Sequence, residues 1–139
     1  MKVMFFMFMS MIASAYGTSD DPLAGATQTA EAFVKLVDDN NAEELAKILH
    51  PDMMQYARLG EKIMPFKAAD FVQMVAEKKL GGTPRSISLA SVQLVRGDTA
   101  DVVLQAVSSE YDFMYQISLI KDGEQWLIVS VMSDIRPVK

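Results

Sequence analysis

The sequence predicts an α+β fold in which three helices pack on one face of an antiparallel sheet. Three observations carry this expectation. Apolar residues recur at helical spacing between Thr27 and Leu80, interrupted by one short strand-like stretch. After Thr83-Pro84 the pattern changes to alternation, in long segments separated by Gly97-Asp98 and Lys121-Asp122-Gly123-Glu124. Helices and strands do not alternate along the chain, so a doubly wound parallel sheet is excluded.

The first fifteen residues stand apart from this pattern. Lys2 is the only charge before Asp20, Val3–Ile12 is apolar except for Ser10, and Ala13-Ser14-Ala15 places small residues where signal peptidase cuts. Residues 1–15 therefore read as a secretory signal peptide cleaved after Ala15, which implies export to the periplasm or the extracellular space. A bilayer span takes roughly 20 apolar residues. Val3–Ile12 is half that length, so no membrane association is expected after cleavage. Residues 16–26, with Gly17 and Gly25, read as a flexible lead-in, and residues 27–139 as one domain.

Within that domain, Ala30, Phe33, Val34 and Val37 form the apolar face of a first helix. Asp21-Pro22 could open it, with Asp as cap and Pro in the first turn, but Gly25 favours a start near Thr27. Asp39-Asn40-Asn41 ends this helix and begins the next, with Asn41 as N-cap and Glu44 three residues on. Leu45, Ile48 and Leu49 make the second stripe, which His50-Pro51 stops. Met53–Leu59 and Lys62–Phe66 flank Gly60-Glu61 as a short hairpin. Lys67–Leu80 reads as the third helix, ended by Gly81-Gly82.

Arg85–Val95 carries Ile87 and Leu89 on one parity and Val92 and Leu94 on the other, which predicts a bulge near Ser91. Ala100–Ser109 and Tyr111–Ile120 follow, the latter with Tyr111, Phe113, Tyr115, Ile117 and Leu119 on one face. Trp126–Met132 closes the sheet with apolar residues on both parities: Ile128 and Met132 on one, Leu127, Val129 and Val131 on the other. That pattern implies a second covered face, for which a homodimer formed through the sheet is the economical expectation.

Composition narrows the function. The 139 residues include no Cys and one His, which excludes thiolate chemistry and any site built from several imidazoles of one chain. The net charge is −5, and removing Lys2 with the signal makes it −6. That sign opposes nucleic-acid binding by phosphate neutralisation. Asp70, Asp101 and Asp112 have no partner at metal-ligand or paired-acid spacing, and neither a metal nor a cofactor is expected. Residues 16–139 must be held by their core alone, and a chain of that size can bury roughly two-thirds of its unfolded surface.

Ala32-Phe33-Val34 followed by Asp39-Asn40-Asn41, then Leu49-His50-Pro51-Asp52, then Ser118–Val129 with its Asp122-Gly123 turn and Trp126, occur in an order that resembles the nuclear-transport-factor-2-like superfamily. The resemblance covers about Ala26–Pro137. Within the superfamily the chain is most similar to the small bacterial group labelled putative lumazine-binding. The resemblance implies a cone-shaped curved sheet, also called the cystatin-like fold, wrapped around the N-terminal helices. It further implies an internal pocket and frequent dimers. It implies no single activity, because members include isomerases, dehydratases, cyclases and binding modules.

The isomerase chemistry needs a carboxylate base and an oxyanion hole containing a Tyr. The places that carry the Tyr and the base read Phe33 and Ala57 here, and neither side chain can do the work. His50 is the one imidazole, and as a proton-moving group it suits a dehydratase or cyclase. Its position at a helix C-terminus is also a sufficient structural reason for it. Tyr56 alternates with Arg58 on the short strand, while Tyr111 and Tyr115 share one strand face. Phenols projecting into an apolar pocket would suit a planar ligand. The same rings would serve equally as core or dimer interface. The first expectation is therefore an exported module binding a small apolar or aromatic ligand through Phe33, Tyr56, Tyr111 and Tyr115. The alternatives are a non-enzymatic interaction or dimerisation module, and an enzyme in which His50 or Tyr56 moves a proton.

Overall fold

The computed structural model describes residues 21–138. The signal peptide, its cleavage after Ala15 and the start of the lead-in lie outside the described residues. The elements in chain order are α1 (Pro22–Asp38), α2 (Ala42–Ile48), β1 (Leu49–Leu59), β2 (Lys62–Lys67), α3 (Ala68–Ala76), β3 (Ser86–Arg96), β4 (Thr99–Val107), β5 (Tyr111–Asp122) and β6 (Gln125–Pro137). The strands form one sheet in the order β2-β1-β6-β5-β4-β3. Three helices and one six-stranded sheet make the expected α+β class. The sheet is mixed, because β1 and β6 run parallel while every other neighbouring pair is antiparallel. No turn joins β1 to β6, so no hairpin imposes an antiparallel direction on that pair.

Helix α1 starts five residues earlier than expected. The Asp21 carboxylate accepts from the Leu23 N–H at 3.0 Å, and Pro22 occupies the first turn. Gly25 lies inside this helix for a packing reason. A Cβ there would sit 2.9 Å from Nε1 and 3.0 Å from Cδ1 of Trp126, which is buried at the start of β6. The absence of a side chain at Gly25 thus makes room for the indole, an interaction between residues about a hundred positions apart.

The Asp39-Asn40-Asn41 turn does three jobs. The Asp39 N–H closes α1 on the Lys35 carbonyl. Asn40 adopts a left-handed φ of 51° and donates through Nδ2 to the carbonyls of Val75 and Leu80, both at 2.9 Å. Asn41 caps α2 by accepting from Glu44 N–H at 3.2 Å. The Asn40 bonds fasten the end of α3 and the loop after it to the α1–α2 corner. Helix α3 stops at Ala76, one turn short of the expected Leu80, because Lys78 turns the chain with a positive φ of 61°. Gly81 then packs its backbone on Val37. At its φ of 80° a Cβ would collide with the Val37 carbonyl oxygen.

Of the four register shifts in the sheet, two re-aim its inner face. The register of β3 on β4 shifts between Leu89 and Ser91, as the parity switch predicts, so Ile87 before the shift and Val92 and Leu94 after it all pack on the core. A second shift pairs Ser118 with Ser130 but Leu119 with Ile128, leaving Val129 as the extra residue of β6. It turns the buried parity from Trp126 and Ile128 to Val131 and Ser133. Much of the apolar character on both parities of β6 therefore belongs to a single inner face interrupted by a bulge. The inner face packs on Phe33, Val34 and Leu45 of the helices to form the core.

Gly25→Ala tests the α1–β6 contact. Helix propensity alone favours Ala by about 0.5–1 kcal/mol. Overpacking against a buried ring costs about 1–3 kcal/mol, so we expect a net loss of stability in urea unfolding. A net gain would show that the indole moves aside freely.

Candidate functional site

A cavity of about 390 Å³ opens between the inner face of the sheet and the end of α1, α3 and the loop that follows α3. That size falls in the range of small-molecule sites. Its walls are mainly apolar: Ala57 from β1, Met64 and Phe66 from β2, Phe71 and Met74 from α3, and Phe113 and Ile135 from β5 and β6. The loop Leu80–Arg85 and the turn Ser108–Glu110 form the rest of its rim. The Asn40 bonds and the Gly81 contact described above hold that loop in place.

One polar cluster is built into the wall. Arg85 follows Pro84 and directly precedes β3. Its Nε donates to Asp38 Oδ1 at 2.7 Å, and its backbone N–H donates to Asp38 Oδ2 at 3.1 Å. Its Nη1 donates to the Tyr115 hydroxyl at 2.6 Å. The guanidinium carbon lies 4.5 Å from the centroid of the Phe113 ring and 5.5 Å from that of Tyr115, within cation–π range of both. The ion pair is nearly shielded from solvent, with side-chain exposures of 5% for Arg85 and 9% for Asp38.

Burial pushes the Tyr115 phenol up from its ordinary value of 10.0, and the neighbouring Arg85 charge pulls it the other way without reversing the shift. For Arg85, burial works against the charge. The Tyr115 oxygen and Asp38 more than offset this, and the net shift is upward. At neutral pH Arg85 is therefore a cation and Tyr115 a neutral phenol. Two buried atoms of the wall have no hydrogen-bond partner: Arg85 Nη2, a donor, and Gln55 Oε1, an acceptor.

The expected site residues separate. Tyr115 lines the cavity and is 4% exposed, and Tyr111 lines it at the mouth, 37% exposed. Phe33 is fully buried behind the wall. Its ring stacks on Phe71 at 5.8 Å and meets Tyr115 edge-on at 5.7 Å, so it supports the cavity without lining it. Tyr56 does not line the cavity. On β1 the odd positions Met53, Gln55 and Ala57 face inward, so Tyr56 and Arg58 point outward, and Tyr56 is 49% exposed. His50 lies elsewhere, beside a shallow depression with Asp52, Ile120 and Leu127. Its Nδ1 accepts from the Asp52 N–H at 3.0 Å, a local backbone cap. Among the described residues, no three His, Asp or Glu side chains could together hold a metal ion, and no helix is long and apolar enough to cross a membrane.

Sequence reasoning missed Arg85, Asp38 and Gln55. Arg85 reads as the polar first residue of the Arg85–Val95 strand, and Asp38 as an ordinary polar residue at a helix end. Only Gln55 carried a signal: it is a polar residue at the inward parity of an otherwise apolar strand.

Two substitutions test the cluster. Asp38→Ala leaves the buried guanidinium without its counter-charge, and we expect a loss of about 3–5 kcal/mol in chemical denaturation. A loss below about 1 kcal/mol would show that the pair is solvated. Tyr115→Phe removes the acceptor of Arg85 Nη1 and should cost about 1–3 kcal/mol at pH 7. The raised phenol pKa means that the unfolded chain ionises first as pH climbs past 10.0. The stability linked to this group is complete below that value and is lost as pH rises through the folded pKa. The alkaline fall in stability should accordingly be shallower in Tyr115→Phe than in the parent. Parallel curves would place the phenol in a water-like setting.

Comparison with known proteins agrees with this architecture. No curated protein matches the chain. A nuclear-transport-factor-2-like protein of unknown function from Silicibacter pomeroyi superposes with a TM-score of 0.71 at 18% identity, covering 81% of this chain and 94% of that one. A ketosteroid isomerase-like protein from Erwinia carotovora atroseptica gives 0.70 at 12% identity, covering 84% and 98%. A cystatin-like fold protein from Burkholderia xenovorans gives 0.69 at 12%, covering 86% and 95%. At such identities these structures establish the fold alone. Residues 21–132 match the family described as "Putative lumazine-binding", and the chain, a nuclear-transport-factor-2-like domain with a walled internal cavity, belongs to that family.

Proposed function

We propose that this protein is an exported binding module that holds a small, largely apolar, ring-containing ligand in the cavity between the sheet and α3. The observation that carries this reading is the composition of the wall. Aromatic and Met side chains surround one fixed polar cluster, the arrangement by which small-molecule sites combine apolar burial with a few orienting groups. The family's description points in the same direction, to a small-molecule ligand. Of the aromatic side chains expected at the site, Tyr111 and Tyr115 serve it directly and Phe33 serves as backing.

Catalysis has less support. The cavity's one buried carboxylate, Asp38, has both oxygens engaged by Arg85, and His50 lies outside the cavity. Export is supported by the positive start, the ten-residue apolar stretch and the Ala13-Ser14-Ala15 site. A homodimer through the outer sheet face is a second reading with its own support. Tyr56 and Met132 are paired neighbours on β1 and β6, both about half exposed, and Met114 is exposed on the next strand. An apolar patch of this kind suits association.

Native mass spectrometry of the mature protein, purified gently from its own compartment, tests these readings together. We expect a dimer carrying an extra small-molecule mass. Protein whose cavity is empty, and which takes up no ring compound from a fragment library, would overturn the binding role. A monomer at all concentrations would overturn the dimer.

A further inference from the structure

We propose that the ligand of this cavity carries a positive charge at one end, a protonated amine that rests at the mouth against Glu110 and Tyr111 while its ring body fills the apolar interior. This rests on the ligand-binding reading above and narrows the class of ligand. Among the described residues that line the cavity, only Asp38, Arg85 and Glu110 are charged. Arg85 presents no free donor to an anion. Its Nε donates to Asp38 and its Nη1 to Tyr115, and Nη2 is enclosed in the wall. Asp38 is held in the same shielded ion pair. Of the three charged groups, Glu110 alone is exposed.

Glu110 is fixed on the rim by its backbone, and its side chain is left unengaged. Its N–H donates to Ser108 Oγ at 3.2 Å, and its carbonyl accepts from the Val138 N–H at 2.9 Å. The carboxylate has no hydrogen bond or ion pair among the described residues. Lys78 and Lys79 precede the rim loop but do not line the cavity, and Lys79 pairs with Glu77 at 3.2 Å. Arg136, toward the end of β6, pairs with Asp134 at 3.0 Å. Beside Glu110 in the chain, Tyr111 offers a partly exposed ring at the mouth, whereas the Phe113 ring already has the Arg85 guanidinium 4.5 Å from its centroid. A carboxylate next to an open aromatic ring attracts a cation both by charge and through the ring quadrupole.

Solvation sets the orientation. Phe71 and Tyr115 of the interior are buried, whereas Thr83, Glu110 and Tyr111 of the rim are exposed. A protonated amine carried inside would lose its hydration and meet the Arg85 charge. At the mouth it keeps its water and gains Glu110. The ring body has no such cost and is drawn inward by burial against Phe66, Phe71 and Met74. A ligand carboxylate fares worse at both places: at the mouth it meets Glu110 as a like charge, and inside it finds every Arg85 nitrogen bonded or enclosed. The net charge of −5 acts in the same sense over a longer range.

Three probes that share a naphthalene body separate the possibilities by isothermal titration calorimetry at pH 7 and low salt: naphthylmethylamine, naphthylmethanol and naphthoate. We expect the amine to bind about fivefold more tightly than the alcohol, the effect of one solvated charge pair at contact, and the naphthoate to bind most weakly. Added salt should shrink the amine's advantage. In Glu110→Gln, a change at an exposed side chain that keeps both backbone contacts, the amine and the alcohol should bind alike. Tightest binding by the naphthoate, an amine no tighter than the alcohol, or a Glu110→Gln protein that keeps the amine's advantage would overturn the cationic preference while sparing the apolar cavity as a ligand site. Binding by none of them would overturn both this proposal and the reading on which it rests.

Discussion

The ion pair between Arg85 and Asp38 is the constraint on which the geometry of the cavity depends. It joins the last residue of α1 to the residue that launches β3, forty-seven positions later. Through Tyr115 it also reaches the middle of β5. One guanidinium thereby fixes the helix end, the start of the edge strand and the wall between them. A buried pair of this kind is not a large net source of stability, since desolvation consumes most of the attraction. Its effect is on specificity of structure. Any arrangement that separates the two groups leaves a charge in an apolar wall, and such arrangements are excluded.

The Asn40 turn and the two bulges act within that frame. Asn40 carries the loop after α3 to the α1–α2 corner, which brings Leu80 and Gly81 to the cavity rim and Arg85 within reach of Asp38. The bulges at Ala90 and Val129 re-aim the inward side chains midway along β3 and β6. A sheet whose strands bend at such points can curve around helices instead of lying flat beneath them. The cavity sits beyond the bulge of β6, where Ser133 and Ile135 have taken over the inward positions. On the other side of that bulge, Ile128 and Trp126 are packed into solid core.

What the sequence reveals and what it conceals divide along the range of the interactions involved. The Asn41 cap, the Gly60-Glu61 and Asp122-Gly123 turns and the bulge near Ser91 are local, and each is legible from a few neighbouring residues. The order of these local signals carries the resemblance, and with it the fold and the existence of a pocket. The start of α1 is hidden because Gly25 answers to Trp126 and not to its own helix. The end of α3 is hidden because a non-glycine residue, Lys78, takes the left-handed turn ahead of Gly81. Tyr56 suits the site by its chemistry, yet the inward parity of β1 belongs to Gln55 and Ala57. Arg85 and Asp38 leave no trace, since a pair so distant in sequence has no periodicity by which to be found.

The cluster that holds the wall together also limits what the wall can accept. An arginine in a pocket is commonly taken as a sign of an anionic ligand, because a free guanidinium offers charge and a fork of donors together. In this protein the charge is already answered by Asp38, and only a fraction of the fork is left over. The leftover donor, Nη2, is enclosed in the wall, as is the Gln55 acceptor. The arginine is held where it is for structural reasons, and the surface it leaves to the cavity is mainly apolar.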